Sequence, residues 1–104
     1  MAPPLAGDAE AVNAAQGLRM ALAEHRIEAD VHHGYGLALV SVWAGLNVWC
    51  YKQRFWWRVG WNPDRQRVLY NWHPAAEPAR AARRIAFHYA DLRKRHARSE
   101  EAPS

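Results

Sequence analysis

Hydrophobic and polar positions sort most sharply between Leu46 and Trp61, in the stretch LNVWCYKQRFWWRVGW. With Lys52 and Gln53 as a two-residue turn, this stretch predicts a β-hairpin in which Cys50 faces Phe55, Trp49 faces Trp56 and Val48 faces Trp57. Side chains alternate across a strand. One face therefore collects Leu46, Val48, Cys50, Phe55, Trp57 and Val59, all apolar. The other collects Asn47, Trp49, Tyr51, Arg54, Trp56 and Arg58, a mixture of rings, amide and guanidinium. A four-residue loop would keep this sorting and a three-residue loop would scramble it, so the pattern itself predicts an even loop.

On the N-terminal side, Ala11, Ala15, Leu18 and Leu22 follow the stripe of one helical face. The predicted helix starts after Asp8 as N-cap and ends near His25 or Arg26. Ile27 to His32 alternates as a short strand. His33-Gly34-Tyr35-Gly36 reads as a turn, since glycine admits positive φ. Leu37 to Trp43 is apolar at nearly every position, which predicts a central strand or one covered on both sides. Either Leu37, Leu39 and Trp43 or Ala38, Val40 and Val42 face the helices. Ala44-Gly45 turns the chain into the hairpin.

On the C-terminal side, Trp61-Asn62-Pro63-Asp64-Arg65 reads as a turn with Pro63 suited to its second position. Arg67 to Trp72 predicts a last strand with Val68, Tyr70 and Trp72 towards the core. Pairing Val59 with Val68 would set Leu69, Asn71 and His73 beside Arg58, Trp56 and Arg54. His73-Pro74 stops the sheet, because proline has no N–H for the ladder. A final helix begins near Pro74 or Pro78 and runs to about Ala97. It gathers Ala82, Ile85, Ala86 and Tyr89 on one face, with Arg80, Arg83, Arg84, Lys94 and Arg95 opposite and Phe87 among them.

The expected architecture is α+β: one α-β-β-β-β-α domain over residues 8–97, with loose ends at 1–7 and 98–104. Its sheet is an antiparallel meander of four to five strands with both helices on one face. Two helices cover only one side of such a sheet. Trp49, Tyr51 and Trp56 would then be left open, more than the scattered apolar exposure that needs no explanation.

Length and composition fit this picture. A chain of 104 residues, 50% apolar, suits one domain. No run reaches the ~18 uncharged apolar residues of a membrane span, and MAPPLAGDAE lacks the look of a signal peptide. The single cysteine, Cys50, excludes an internal disulfide and fits a reducing compartment, so the cytoplasm is the expected location. The net charge of +4 is divided, with residues 1–50 at −3 and residues 51–104 at +7. That asymmetry suits a polyanion partner, and equally an acidic helix lying beside a basic one.

Three constellations bear on function. The first is the hairpin's second face, with Trp49, Tyr51, Arg54, Trp56 and Arg58, edged by Leu69, Asn71 and His73. It could meet a second copy or another protein, where aromatics and arginine concentrate binding energy. It could stack bases and hold phosphates of a single-stranded nucleic acid, or lie beneath the chain's own ends. The second is the arginine-rich helix face, which reads as a solvated face or as phosphate contacts. The third is the histidines, which carry no HExxH or spaced Cys/His pattern; His73 reads as a structural polar contact.

No metal, cofactor or catalytic residue is therefore expected. Cys50 falls on the apolar face, where a thiol behaves as a small hydrophobe. There is no G-x-S-x-G, phosphate-binding glycine loop or catalytic carboxylate pair. The sequence reads as a non-catalytic binding or regulatory module that self-associates or binds a protein, with single-stranded nucleic acid as the alternative and no membrane partner.

Through LNVWCYKQRFWWRVGW and the following HPAAEPARAARRIA, the chain resembles small uncharacterised actinobacterial proteins. These combine an Ala-rich helix, a Trp-bearing hairpin and an Arg-rich C-terminal helix. The resemblance spans about Leu18 to Ala97. It implies a free-standing cytosolic protein and carries no activity or residue roles.

Overall fold

The polypeptide runs α1 (Ala6–Glu24), β1 (Asp30–Gly34), β2 (Leu37–Trp43), β3 (Leu46–Tyr51), β4 (Arg54–Asn62), β5 (Arg67–Pro74) and α2 (Pro78–Glu101). The computed structural model describes residues 6–34, 36–43 and 45–101, with side chains from residue 9 to residue 97. Tyr35 and Ala44, expected in two of the turns, and the outermost terminal residues lie outside the described residues. The strands form one antiparallel sheet in the order β1-β2-β3-β4-β5. This is the expected α+β meander, with five strands where the compact α-β-β-β-β-α formula has four. Helix α1 lies across β1, β2 and β3, while α2 packs beside α1 and against β5.

Local chemistry sets the boundaries. Helix α1 begins at Ala6, so Asp8 lies within the helix and not at its cap. At the other end the Arg26 N–H donates to the Ala23 carbonyl and the Ile27 N–H to the Leu22 carbonyl. Arg26 itself takes a φ of 60°. This is a Schellman stop, with buried Ile27 against Leu22 as its hydrophobic contact. The stop uses Ile27 as a plug, and the strand expected from Ile27 starts only at Asp30. Helix α2 opens with Pro78 in its first turn, where a missing N–H costs nothing. The Glu77 carbonyl accepts the Ala81 N–H.

The hairpin forms in the expected register, with Trp49 opposite Trp56, Cys50 opposite Phe55 and Val48 opposite Trp57. Its apolar face is the core: Leu46, Val48, Cys50, Phe55 and Trp57 are each at most 1% exposed. From β2, Ala38 and Val40 join that core, which settles which side of the strand meets the helices. A register shift between Ser41 and Trp43 returns Trp43 to the helix side, edge-on to Tyr89 of α2. Ala11, Ala15, Leu18 and Leu22 of α1 and Ala81, Ala82 and Ile85 of α2 complete the buried set. Alanines let both helices lie close to the sheet, and a Cβ built at Gly17 would sit 3.9 Å from Pro78.

Strand β5 is where the sequence pattern misleads. Val59 does not pair with Val68. A bulge interrupts the ladder between Arg58 and Gly60, so Trp61 pairs with Val68 and Trp56 with Trp72. One extra residue in β4 exchanges the faces of β5 relative to the hairpin. Tyr70 and Trp72, expected in the core, lie on the open face, 55% and 43% exposed. Asn71 and His73, expected on the open face, stand opposite core residues Trp57 and Phe55, on the helix side with Leu69.

Candidate functional site

The side of the sheet away from the helices is covered by no element among the described residues. Alternation in the paired strands puts Asp30 and His32 of β1, Leu37, Leu39 and Ser41 of β2, and Asn47, Trp49 and Tyr51 of β3 on this face. Strand β4 adds Arg54, Trp56, Arg58 and, past the bulge, Trp61, and β5 adds Val68, Tyr70 and Trp72. Five of the sequence-predicted residues, Trp49, Tyr51, Arg54, Trp56 and Arg58, thus come together. Asn71 and His73 do not belong to the face.

Cross-strand pairing organises the rings. Trp56 and Trp72 are 6.1 Å apart between centroids, and the Arg54 guanidinium lies 4.2 Å from the Trp72 ring centre and 5.9 Å from that of Trp56. Contacts of this kind keep a cation on a ring surface and hold Arg54 over the two tryptophans. At the hairpin tip Lys52 sits 5.3 Å from the Tyr51 ring. Between Leu37, Trp49, Tyr51, Trp56 and Tyr70 lies an open apolar depression of about 320 Å³. The Trp56 Nε1 atom is shielded from solvent and has no acceptor, an orphaned donor of the kind that calls for explanation.

The helix side of β5 holds a polar clamp that sequence reasoning missed. Arg84 of α2 donates to the Trp72 carbonyl at 2.8 Å, lies 3.1 Å from His73 Nδ1 and covers the Trp57 ring at 5.0 Å. His73 Nε2 is 3.1 Å from the Glu77 carboxylate. Because arginine only donates, Nδ1 is the acceptor in the contact with Arg84. His73 therefore ties the end of the sheet to the start of α2. The signal was the spacing of His73 and Glu77 across the Pro74 turn, which only the fold converts into a contact. His88, farther along α2, is hydrogen-bonded to the Arg58 backbone; burial holds its pKa below the ordinary value, Asp91 opposes that shift and Arg95 reinforces it.

Other features carry little chemistry. Burial pushes the Cys50 thiol up to about 12, which denies it the thiolate a nucleophile needs. A broad concavity of about 700 Å³ lies between α1 and the two turns at 52–53 and 74–76, with Cys50 at its edge. It lacks the convergent buried polar groups of a small-molecule site, as no polar residue among those described is buried. No cluster of three His, Cys, Asp or Glu among the described residues could hold a metal ion. No helix among them is long and apolar enough to cross a membrane. On the outer surface of α2, Phe87 is 82% exposed beside Arg83 and Arg84.

Comparison with protein-family models, with curated proteins and with solved structures finds no match to this chain.

Proposed function

We propose that the protein is a cytoplasmic, non-catalytic binding module that buries its open sheet face against protein, self-association being the favoured mode. The observation that carries this reading is the exposure of Trp49, Tyr51, Tyr70 and Trp72 on one continuous surface, while both helices lie behind the sheet. A contiguous ring-rich patch of this kind is characteristic of an interaction surface, and Trp, Tyr and Arg are the residues enriched where binding energy concentrates.

Single-stranded nucleic acid is the second reading, supported by Arg54 lying over Trp72 beside rings that could stack bases. The distribution of charge favours protein. Arg80, Arg83, Arg84 and Arg95 ride on α2, behind the sheet, so the cations of the face itself are Arg54 and Arg58, with Lys52 at the tip. Single-strand binders combine stacking rings with a positively charged groove that tracks the backbone, and most of this chain's basic side chains lie on the other side of the sheet.

Light scattering over a protein concentration series, with a fluorescence titration against a mixed-sequence oligonucleotide, tests both readings. A dimer whose tryptophan emission ignores the oligonucleotide supports self-association. A monomer quenched by oligonucleotide and released by salt supports the second reading. A monomer indifferent to oligonucleotide overturns both self-association and nucleic-acid binding.

A further inference from the structure

Resting on the self-association reading, we propose that the occupant of the open face is a second copy of the chain, related by a two-fold axis running along β3 within the interface. The argument begins with the relief of the face. The row His32, Leu39, Trp49, Trp56 and Trp72 crosses all five strands in register. Its β1–β2 end, His32 and Leu39, carries no tryptophan, and the next rows there add Gly34 and Leu37 on one side and Asp30 and Ser41 on the other. Its β4–β5 end is high, built of Trp56 and Trp72 with Arg54 laid across them. One half of the face is a step down and the other a step up.

Only one of the two in-plane two-folds brings these halves together. An axis along β3 lays β4 of one copy on β2 of the other, so Trp56 meets the second copy's Leu39 and Arg54 meets its Leu37. Large groups fill the space left by smaller ones, as close packing across an isologous interface requires. An axis across the strands would lay β4 on β4, set Trp56 on Trp56, and bring Arg58 over Arg54 of the second copy. That arrangement stacks bulk on bulk and like charge on like.

Charge selects the same axis. Asp30, Ser41 and Asn47 form one row that continues to Arg58 and Tyr70. Turning the face about β3 places Asp30 of one copy over Tyr70 of the other, one strand spacing of about 4.8 Å from Arg58. Two equivalent Asp30–Arg58 pairs then close the row, one on each side of the axis. Five strands of about six residues give a footprint of roughly 24 by 20 Å. Two such faces bury about 1,000 Å² in total, below the stable specific range and in the class of weak, transient interfaces, so the dimer should dissociate on dilution.

Crosslinking distinguishes the axes. Asn47 meets Asn47 about an axis along β3. About an axis across the strands it meets Tyr51, about 13 Å away along the strand. Packed sheets stand about 10 Å apart, too far for a direct disulfide, so the Asn47→Cys variant is treated with a short bismaleimide. Cys50, buried and protonated, stays silent, and the unsubstituted chain serves as the control. Covalent dimer is expected from Asn47→Cys alone. In parallel, sedimentation of Arg58→Asp should show at least about tenfold weaker dimerisation, with Asp30→Arg/Arg58→Asp restoring it. A dimer that neither crosslinks through position 47 nor responds to the charge exchange overturns this geometry and leaves self-association standing. A chain monomeric throughout the concentration series overturns both.

Discussion

Trp56 and Trp72 face each other across β4 and β5 with their rings 6.1 Å apart and tilted by 39°. The Trp72 carbonyl turns away from β4 to accept from Arg84, so the two tryptophans form a non-hydrogen-bonded pair, the closer kind in an antiparallel ladder. Trp57, one position along, is 1% exposed in the core. Adjacent tryptophans thus have opposite tasks. Trp57→Ala should cost about 3–5 kcal/mol of fold stability. Trp56→Ala, on a half-buried site, should cost about 1–2 kcal/mol while lowering the mass seen at a concentration where the parent chain is dimeric. Urea melts and sedimentation on both variants check the contrast; equal losses of stability would remove the distinction between the two faces.

The orphaned Trp56 Nε1 makes a finer prediction. Trp56→Phe keeps an aromatic ring on the face and removes a donor that has no partner. An unsatisfied buried donor costs about 1–3 kcal/mol, which offsets much of the lost ring surface. The variant should lie within about 1 kcal/mol of the parent in chemical denaturation. A loss approaching that of Trp57→Ala would mean that the indole N–H has an acceptor in solution.

The same strands mark where the sequence stops being readable. The hairpin register was legible because an even turn is the only one that sorts six apolar from six mixed positions. The α1 stripe was legible for a similar reason, its four apolar positions falling on one helical face. The face of β5 was not, because periodicity carries across a turn only while no residue is inserted. Gly60, alone inside a strand pattern, marks such a bulge, and the one-residue shift beside it moves Tyr70 and Trp72 outward and Asn71 and His73 inward. Hydrophobicity reinforced the error, since an aromatic binding face looks like a core. The Arg84 clamp was invisible because it joins residues whose proximity depends on how α2 returns across the sheet.

The Lys52-Gln53 turn takes φ of 50° and 62° at its two positions. Two positive φ values suit the primed turns that match strand twist, and Asn-Gly is their favoured sequence. Neither lysine nor glutamine occupies this region without strain. Relief of left-handed strain, roughly 1–2 kcal/mol per residue, exceeds the entropy that the added glycine costs, so replacing the pair by Asn-Gly should stabilise the fold by about 1 kcal/mol. That corresponds to roughly 4–8 °C in thermal midpoint for a domain of this size, measured by circular dichroism. An unchanged or lower midpoint would show that the parent turn is not strained in solution.

Arg84 holds the edge strand to the helix in three ways, through the Trp72 carbonyl, His73 and the Trp57 ring. A lysine keeps the charge but loses the planar fork. Arg84→Lys and Arg84→Met should therefore both lose about 1 kcal/mol, with faster amide exchange along β5 than along β3. If Arg84→Lys matches the parent, charge alone suffices and the geometry of the clamp is immaterial.

Cys50 gives the fold a defined weakness at alkaline pH. Its folded pKa, about 12, lies above the ~8.5 of a free thiol. The unfolded chain therefore releases this proton first as pH rises. Stability from the buried thiol is fully present below about pH 8.5. Above it, stability falls by up to ~1.4 kcal/mol per pH unit until the folded thiol also titrates. Tyrosines and lysines ionise in the same range, so the informative quantity is the difference between the parent and Cys50→Ala. Urea denaturation from pH 7 to pH 10.5 should show the parent losing stability faster than Cys50→Ala above pH 9, with the two curves parallel below pH 8. Parallel curves throughout would mean that water reaches the thiol, and that the core beneath the hairpin is more open than its burial indicates.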